Sequence, residues 1–361
     1  MVSRPSYRLE FRAATAEPAG WSKSWGRTAG PRILRIDTCA SLDSLASTAR
    51  IHLVASPGDL VKKGSRISLE LDAGRSAHAS DLATAGGDTF RLVMKGIVTG
   101  GTEGPMPTID CESSLGALER ARINLSLAAR PLEDAIARLA RSQRGVRFAT
   151  GCPARSGLLR AKATFDSSST VADQIRRLSR LAGFVVYPTS EDQLFIGQWK
   201  PLKTAGPTGV PTARQVTHDL HPETVLSAEV EPVPEPRPRH ALTFSDPRGK
   251  NEGLIVVSRK SIDAQISGKR RTGTGLDVEG LSPKGAKKAL ENVFRMENVE
   301  ARLRMETLGA PEVRLGDAVR FGELDPGLVT EVRHTLDGER GFTTRLSASI
   351  FRSPRATKPR G

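Results

Sequence analysis

The sequence predicts a β-rich α+β protein in which two blocks of strands flank a helical insert. Three observations support this fold class. Segments of alternating apolar and polar residues occur in residues 1–112 and again in residues 241–352. Two segments with apolar residues at helical spacing lie between them, in residues 113–200. The chain also contains 34 glycines and 23 prolines, which is typical of a protein with many turns.

The first block, residues 1–112, predicts a small barrel or sandwich. Strand patterns occupy residues 33–37, 49–54, 66–72 and 90–98. In the third of them, "RISLELD", three aliphatic residues alternate with serine, glutamate and aspartate. This period of two gives the strand one buried and one solvent-exposed face.

The insert, residues 113–200, predicts two amphipathic helices. The first lies in "PLEDAIARLARSQRGVRF" and the second in "STVADQIRRLSRLAGFVVY". Three apolar positions recur at a constant offset of 39 residues, namely Leu132, Ile136 and Leu139 in the first helix and Val171, Ile175 and Leu178 in the second. A short strand pattern follows each helix, so the insert is expected to consist of two αβ units.

The rest of the chain divides into three further segments. Residues 201–240 are rich in proline and glycine and predict a linker or extended arm that stays out of a sheet centre. Residues 241–352 predict a second barrel that includes a helix over 283–304 and a closing hairpin with alternating faces. Residues 353–361 predict a basic tail.

The chain is strongly basic, with 54 Lys and Arg against 40 Asp and Glu and a formal net charge of +14. The segment from Arg120 to Arg180 contains thirteen basic and four acidic residues, a surplus of nine positive charges. Such a surplus indicates an acidic or polyanionic partner. The arginines expected to form this interaction face are Arg138, Arg141, Arg144, Arg176, Arg177 and Arg180. Nucleic acid is one candidate partner, although the segment has few aromatics for base stacking.

No catalytic, cofactor-binding or metal-binding residue is predicted. The sequence has no phosphate-binding glycine loop, and the histidine pair His218 and His221 lies in the proline-bounded segment without further ligands. The three cysteines are far apart, as expected for thiols of a protein made in a reducing cytoplasm. Neither a signal peptide nor a membrane span is predicted.

Three stretches resemble the baseplate hub proteins of phage tails, the Mu-like and late-control D family, which are related to the hub part of contractile injection spikes. They are "ILRIDTCASLDSLASTARIHL" with "VMKGIVTG", then "GAKKALENVFRMENVEARLRMETLGAPEVRLGDAVRF", and finally "GLVTEVRHTLDGERGFTTRLSAS". The resemblance implies two small β-barrel-like hub domains, in residues 1–112 and 241–352. It does not distinguish a contractile from a non-contractile tail, or a phage from a tailocin or gene-transfer particle.

The insert resembles the short N-terminal domain of secretins and TonB-linked receptors, through "INLSLAARPLEDAIARLARSQRGVRFATG" and "SSSTVADQIRRLSRLAGFVVYPTSEDQLFIG". A periplasmic secretin-like component is therefore an alternative to a tail hub. The lack of a predicted export signal speaks against it.

The hub resemblance implies a non-enzymatic structural protein of the virion tail baseplate, made in the host bacterial cytoplasm. It implies a homotrimeric ring that joins a sixfold tail tube to a threefold central spike, with other baseplate or tail-tip proteins around it and DNA passing through the lumen during ejection. No small-molecule substrate and no cofactor are expected. The alternative from a different class is a nucleic-acid-binding protein that uses the basic insert.

Overall fold

The protein is described from a computed structural model. The structure describes residues 6–12, 19–23, 33–54, 61–72, 90–149, 160–165, 167–198, 217–234, 239–245, 252–258, 262–265, 283–338 and 340–351. Within these ranges it contains twenty strands and four α-helices.

The first block and the insert contribute strands β1 to β11 and helices α1 to α3. The strands are β1 Ser6–Arg12, β2 Ala19–Lys23, β3 Ile33–Ser41, β4 Thr48–Leu53, β5 Arg66–Asp72, β6 Arg91–Thr102, β7 Thr108–Glu112, β8 Leu125–Pro131, β9 Arg160–Phe165, β10 Phe184–Pro188 and β11 Leu194–Gln198. The helices are α1 Gly116–Arg120, α2 Leu132–Arg141 and α3 Val171–Ala182.

The remaining chain contributes nine strands and one helix among the described residues. The strands are β12 Thr217–Leu220, β13 Val225–Pro232, β14 Arg239–Ser245, β15 Glu252–Ser258, β16 Ile262–Gln265, β17 Val299–Leu308, β18 Ala318–Phe321, β19 Gly327–Asp337 and β20 Gly341–Phe351, and the helix is α4 Pro283–Glu297.

One sheet of thirteen strands joins the two predicted strand blocks. Its order is β13-β17-β20-β19-β3-β4-β7-β6-β5-β1-β2, with β18 on β19 and β12 on β18. The blocks meet where β19 pairs antiparallel with β3, from Glu331 opposite Ser41 to Asp337 opposite Arg35. The predicted β-rich α+β fold class is confirmed. The structure adds that its two β units are lobes of one curled sheet, because the closing hairpin pairs with the first block.

Each lobe of the sheet has its own apolar core on the inner face. The first core is built from β1 and β3 to β7 and is completed by Leu336 and Phe342 from the closing hairpin. The second core combines β17 to β20 with the 310–315 loop, including Leu303, Val332 and Leu346. Because β19 supplies side chains to both cores, the lobes are packed together as well as hydrogen-bonded.

The insert forms a third core. Helices α2 and α3 pack their apolar stripes together and against Phe184, Leu194 and the apolar side of α1. The Thr170 hydroxyl accepts a hydrogen bond from the Asp173 N–H, and the Asp173 carboxylate accepts one from the Thr170 N–H, which is a capping box. Gly183 ends α3 at a φ of 72°. The likeness of this unit to a secretin domain stays a prediction.

Three predictions about the extent or membership of elements differ from the structure. Helix α4 ends at Glu297 rather than at residue 304, because the sequence after it alternates with period two and forms β17. The predicted linker 201–240 contains β12 and β13, which pair with β18 and β17. Strands β14 to β16, expected in the second barrel, form a separate three-stranded sheet. The tail 353–361 lies outside the described residues.

Candidate functional site

The outer face of the thirteen-stranded sheet carries alternating arginines and carboxylates. We call it the charged face. On neighbouring strands Arg50 Nε lies 2.7 Å from Asp110, and Arg345 Nε lies 3.1 Å from Glu306. Within β3, Arg35 Nε lies 2.7 Å from Asp37. These pairs occur because strand residues two apart share a face, and the cross-strand register sets opposite charges side by side.

A broad basin lies on this charged face above β6, β7, β4, β3, β19 and β20. Its volume is about 1050 Å³. Six basic side chains and three carboxylates line it, a surplus of three positive charges, contributed by Arg35, Arg50, Lys63, Arg120, Arg333 and Arg345 against Asp37, Asp110 and Glu112. Five of the six are ion-paired, so most of the positive charge here is locally neutralised.

A buried polar seam marks the junction of the two lobes on the inner face. His334 on β19 stands opposite Thr344 on β20 and Thr38 on β3. His334 Nδ1 lies 3.0 Å from Thr344 Oγ1, and Thr344 Oγ1 also accepts a hydrogen bond from the Ala310 N–H. Burial lowers the pKa of His334 to about 4. The imidazole is therefore neutral at pH 7.

One tight turn, between β10 and β11, attaches the insert to the first lobe. Asp192 occupies the left-handed region at a φ of 58°, and its carboxylate accepts a hydrogen bond of 2.8 Å from the Ser114 N–H. Lys95 on β6 donates from its backbone to the Ser190 carbonyl and pairs with Glu191 through its ammonium. Burial raises the pKa of Asp192. The turn fixes the insert relative to the sheet.

The six arginines expected to form one interaction face are placed in different surroundings. Arg138, Arg141 and Arg144 are exposed at the end of α2, where the Arg141 guanidinium lies 5.3 Å from the centre of the Phe148 ring. Arg176 on α3 is partly buried and pairs with Glu119 of α1 and with Asp173. It therefore ties α3 to α1.

Arg180 and Arg176 border a groove between the insert and the second lobe. The groove has a volume of about 470 Å³ and is also lined by Val293 of α4, Arg302 of β17 and Phe351 of β20. Arg177, the residue after Arg176 on α3, is exposed. Arg138, Arg141 and Arg144 do not line this groove, so the six arginines form at least two separate basic areas.

The thirteen-stranded sheet ends in an open edge at β13. This strand pairs only with β17 among the described residues, and its side chains are exposed over almost its whole length. Leu226 is 55% exposed and Val230 is 45% exposed. Val230 stands opposite Leu303, which is buried in the second core. The apolar inner face thus continues uncovered onto an edge strand, a feature that marks protein interfaces.

The two histidines of the predicted linker lie in different surroundings. His218 Nε2 lies 2.9 Å from the carboxylate of Asp317, which also accepts a hydrogen bond from the Arg314 N–H. His221 is exposed. In the described part of the chain, no group of three or more His, Cys, Asp or Glu residues could hold a metal ion. Among those same residues, no helix combines the length and apolar character needed to cross a membrane.

Sequence reasoning missed both the charged face and the open edge. Charged residues at every second position of a strand, as in Arg302, Arg304 and Glu306 of β17, were a detectable signal, but the sequence does not show which strands lie side by side. Ala228 and Val230 alternate with Glu229 and Glu231, which is a strand pattern. Prolines on both sides of this pattern made the segment resemble a linker instead.

No protein-family model and no curated protein sequence matches the chain. Solved structures do. A tail protein from Neisseria meningitidis MC58 is 13% identical with a TM-score of 0.62, covering 96% of this chain and 98% of its own. The 43 kDa tail protein of prophage MuSo2 from Shewanella oneidensis is 14% identical with a TM-score of 0.56, covering 95% and 98%.

The chain has the fold of these phage tail proteins. A third similar structure is an E. coli component of the type VI secretion system, described as similar to the T4 tail proteins gp27 and gp5. It is 13% identical with a TM-score of 0.50, covering 92% of this chain and 77% of its own. The resemblance to baseplate hub proteins that the sequence indicated is confirmed at the level of fold.

Proposed function

We propose that this protein is a structural hub of a phage-like tail, located in the baseplate of the virion. It forms a homotrimeric ring that joins the tail tube to the central spike. The observation that carries the proposal is the sheet of two lobes, because three such chains present six similar lobes. Such a ring can bind a sixfold tail tube on one side and a threefold spike on the other. Its function lies in its interfaces, and we propose no enzymatic activity.

The charged face gives the proposed conduit a physical basis. A lumen that attracts DNA strongly would slow its passage, since each neutralised phosphate adds to affinity and to salt dependence. In the basin on the charged face, Arg50 pairs with Asp110, and Arg120 at the end of α1 pairs with Glu112. We propose that this face borders the DNA path, where its paired charges keep the attraction weak.

The two areas of arginines on the insert then serve protein contacts. Arg138 and Arg141 on α2, and Arg144 just after it, are exposed and fit acidic surfaces of baseplate or tube components. A DNA-binding protein that uses the insert is the second candidate. Few aromatic residues accompany these arginines, which gives bases little to stack on.

Antibody labelling of intact tail particles tests the location. Gold particles directed against this chain should lie at the baseplate end of the tail, where tube and spike meet. Labelling along the tube would contradict the proposal. The absence of labelling on both intact particles and particles with a disrupted baseplate would also contradict it.

DNA binding by the purified protein separates the two candidate functions. The double variant Asp110→Asn, Glu112→Gln frees Arg50 and Arg120 and should bind duplex DNA more tightly, with a steeper salt dependence, than the natural chain. The matched control Glu323→Gln, Asp325→Asn removes two exposed charges between β18 and β19 and should not. Tight binding by the natural chain that is lost in Arg138→Gln, Arg141→Gln would instead support the DNA-binding function.

A further inference from the structure

We infer that the ring closes by β-sheet pairing, with strand β13 of one copy lying parallel to strand β2 of the next. This inference rests on the proposed trimeric ring and names the surface that forms it. Strands β13 and β2 are the two ends of the eleven-strand path of the sheet, and each pairs on one side only among the described residues.

The exposed side chains of β13 indicate that this edge is covered in the assembled protein. Leu226 and Val230 are among the few large hydrophobic side chains that are exposed in the described part of the chain. The strand carries no lysine and no inward-pointing charge before Pro232, so its protection as a free edge is limited to Glu229 and Glu231 on the other face and to a register shift between Val225 and Ser227. A strand from a neighbouring copy would pair with the free backbone N–H and C=O groups of β13 and would also cover Val230.

The direction of the strands specifies the geometry of the joint. Every neighbouring pair along the eleven-strand path is antiparallel. The first and eleventh strands of such a path run in the same direction. A rotation about the ring axis keeps the sense in which a strand runs along that axis, so β13 of one copy and β2 of the next run in the same sense within a continuous sheet. The joint is therefore parallel.

The charges of β13 argue against its pairing with a second β13. Glu229 and Glu231 lie on one face of the strand, and both are exposed. In a twofold antiparallel pair, registers centred on Glu229, Val230 or Glu231 would place carboxylates directly opposite one another, which is destabilising. Strand β2, "AGWSK", contains one lysine and no acidic residue. A head-to-tail joint avoids the repulsion and closes into a ring.

Cysteine cross-linking between mixed full-length chains tests the joint. Chains carrying Ala228→Cys or Pro232→Cys are mixed with chains carrying Ala19→Cys or Lys23→Cys, and each mixture is oxidised. A parallel joint should link 228 with 19 and 232 with 23, at yields about tenfold above the crossed combinations, because disulfides require close Cβ atoms. The natural chain, with its three cysteines, and each variant alone supply the background.

The outcomes separate this inference from the proposed function. Linking of 228 with 23 and 232 with 19, or dimers from Ala228→Cys alone, would overturn the parallel joint. A trimer that shows none of these links would overturn the inference while leaving the hub function standing. Absence of a trimer in the natural chain would contradict the ring itself.

A charge at the edge gives a second test that does not depend on cross-linking geometry. Val230→Lys should convert the trimer to the monomer mass, since the next strand would cover an ammonium group in the place of an apolar side chain. Val54→Lys is the matched control, because Val54 has the same 45% exposure and lies away from β13. Equal masses for the two variants would overturn the inference.

Discussion

The buried His334 at the junction of the lobes predicts how the protein responds to acid. Its imidazole is neutral in the folded state, because burial lowers its pKa from 6.5 to about 4. In the unfolded chain it takes up a proton near pH 6.5. Between these two values the unfolded state binds more protons, so stability falls as the pH falls through this window. Below pH 4 both states are protonated and no further loss arises from this group.

The magnitude follows from the two pKa values of His334. A shift from 6.5 to about 4 corresponds to about 3 kcal/mol in the free energy of unfolding, at about 1.4 kcal/mol per pH unit. A loss of that size is a large fraction of the stability of an ordinary domain.

Urea unfolding between pH 7 and pH 4 measures the effect, with His334→Asn as the perturbation. Asparagine keeps a hydrogen-bond acceptor for Thr344 but does not titrate. The natural chain should lose about 3 kcal/mol more than this variant over the pH range. Val332→Ala, a destabilising change in the adjoining core that retains His334, should keep the pH slope of the natural chain. Parallel pH profiles for the natural chain and His334→Asn would refute the reasoning.

Substitutions at four sites test local features of the insert by urea unfolding. Asp192→Ala should cost about 2 kcal/mol, because it leaves the Ser114 N–H unpaired and sets alanine at a positive φ, whereas Asp192→Asn should cost less; equal losses would contradict this role. Thr170→Ala should cost about 1 kcal/mol through loss of the α3 cap. The Thr170 hydrogen bond lowers the pKa of Asp173, so the loss in Asp173→Asn should shrink as the pH falls below 3.8. Gly183→Ala should cost about 1 kcal/mol or more, since its φ is 72° and its Cβ would meet Asn292; an unchanged stability would argue against this cap.

Local patterning predicted much of the fold. The stripes of α2 and α3 are buried as their spacing required, with Leu132, Ile136 and Ile175 fully inaccessible. The alternation in β5 likewise places Ile67 and Leu69 in the first core. These features depend on residues close in sequence, so periodicity alone reveals them.

Long-range pairing could not be predicted in the same way. The joining of β3 to β19 brings Asp37 beside Thr335, whose hydroxyl donates to its carboxylate although the two are far apart in the chain. The same pairing brings Thr38 opposite His334 in the buried seam and lets the basin on the charged face extend across both lobes. The boundary of α4 was also missed, since "ENVEARLRMETL" contains good helix formers and only the alternation after Asn298 favours a strand.

The mass of the purified full-length protein in solution tests the central claim most directly. Light scattering combined with negative-stain images of the same peak should give three times the 38.8 kDa chain mass and rings with a six-lobed outline around a central opening. A monomer at all concentrations, or a closed twofold dimer without an opening, would contradict the hub.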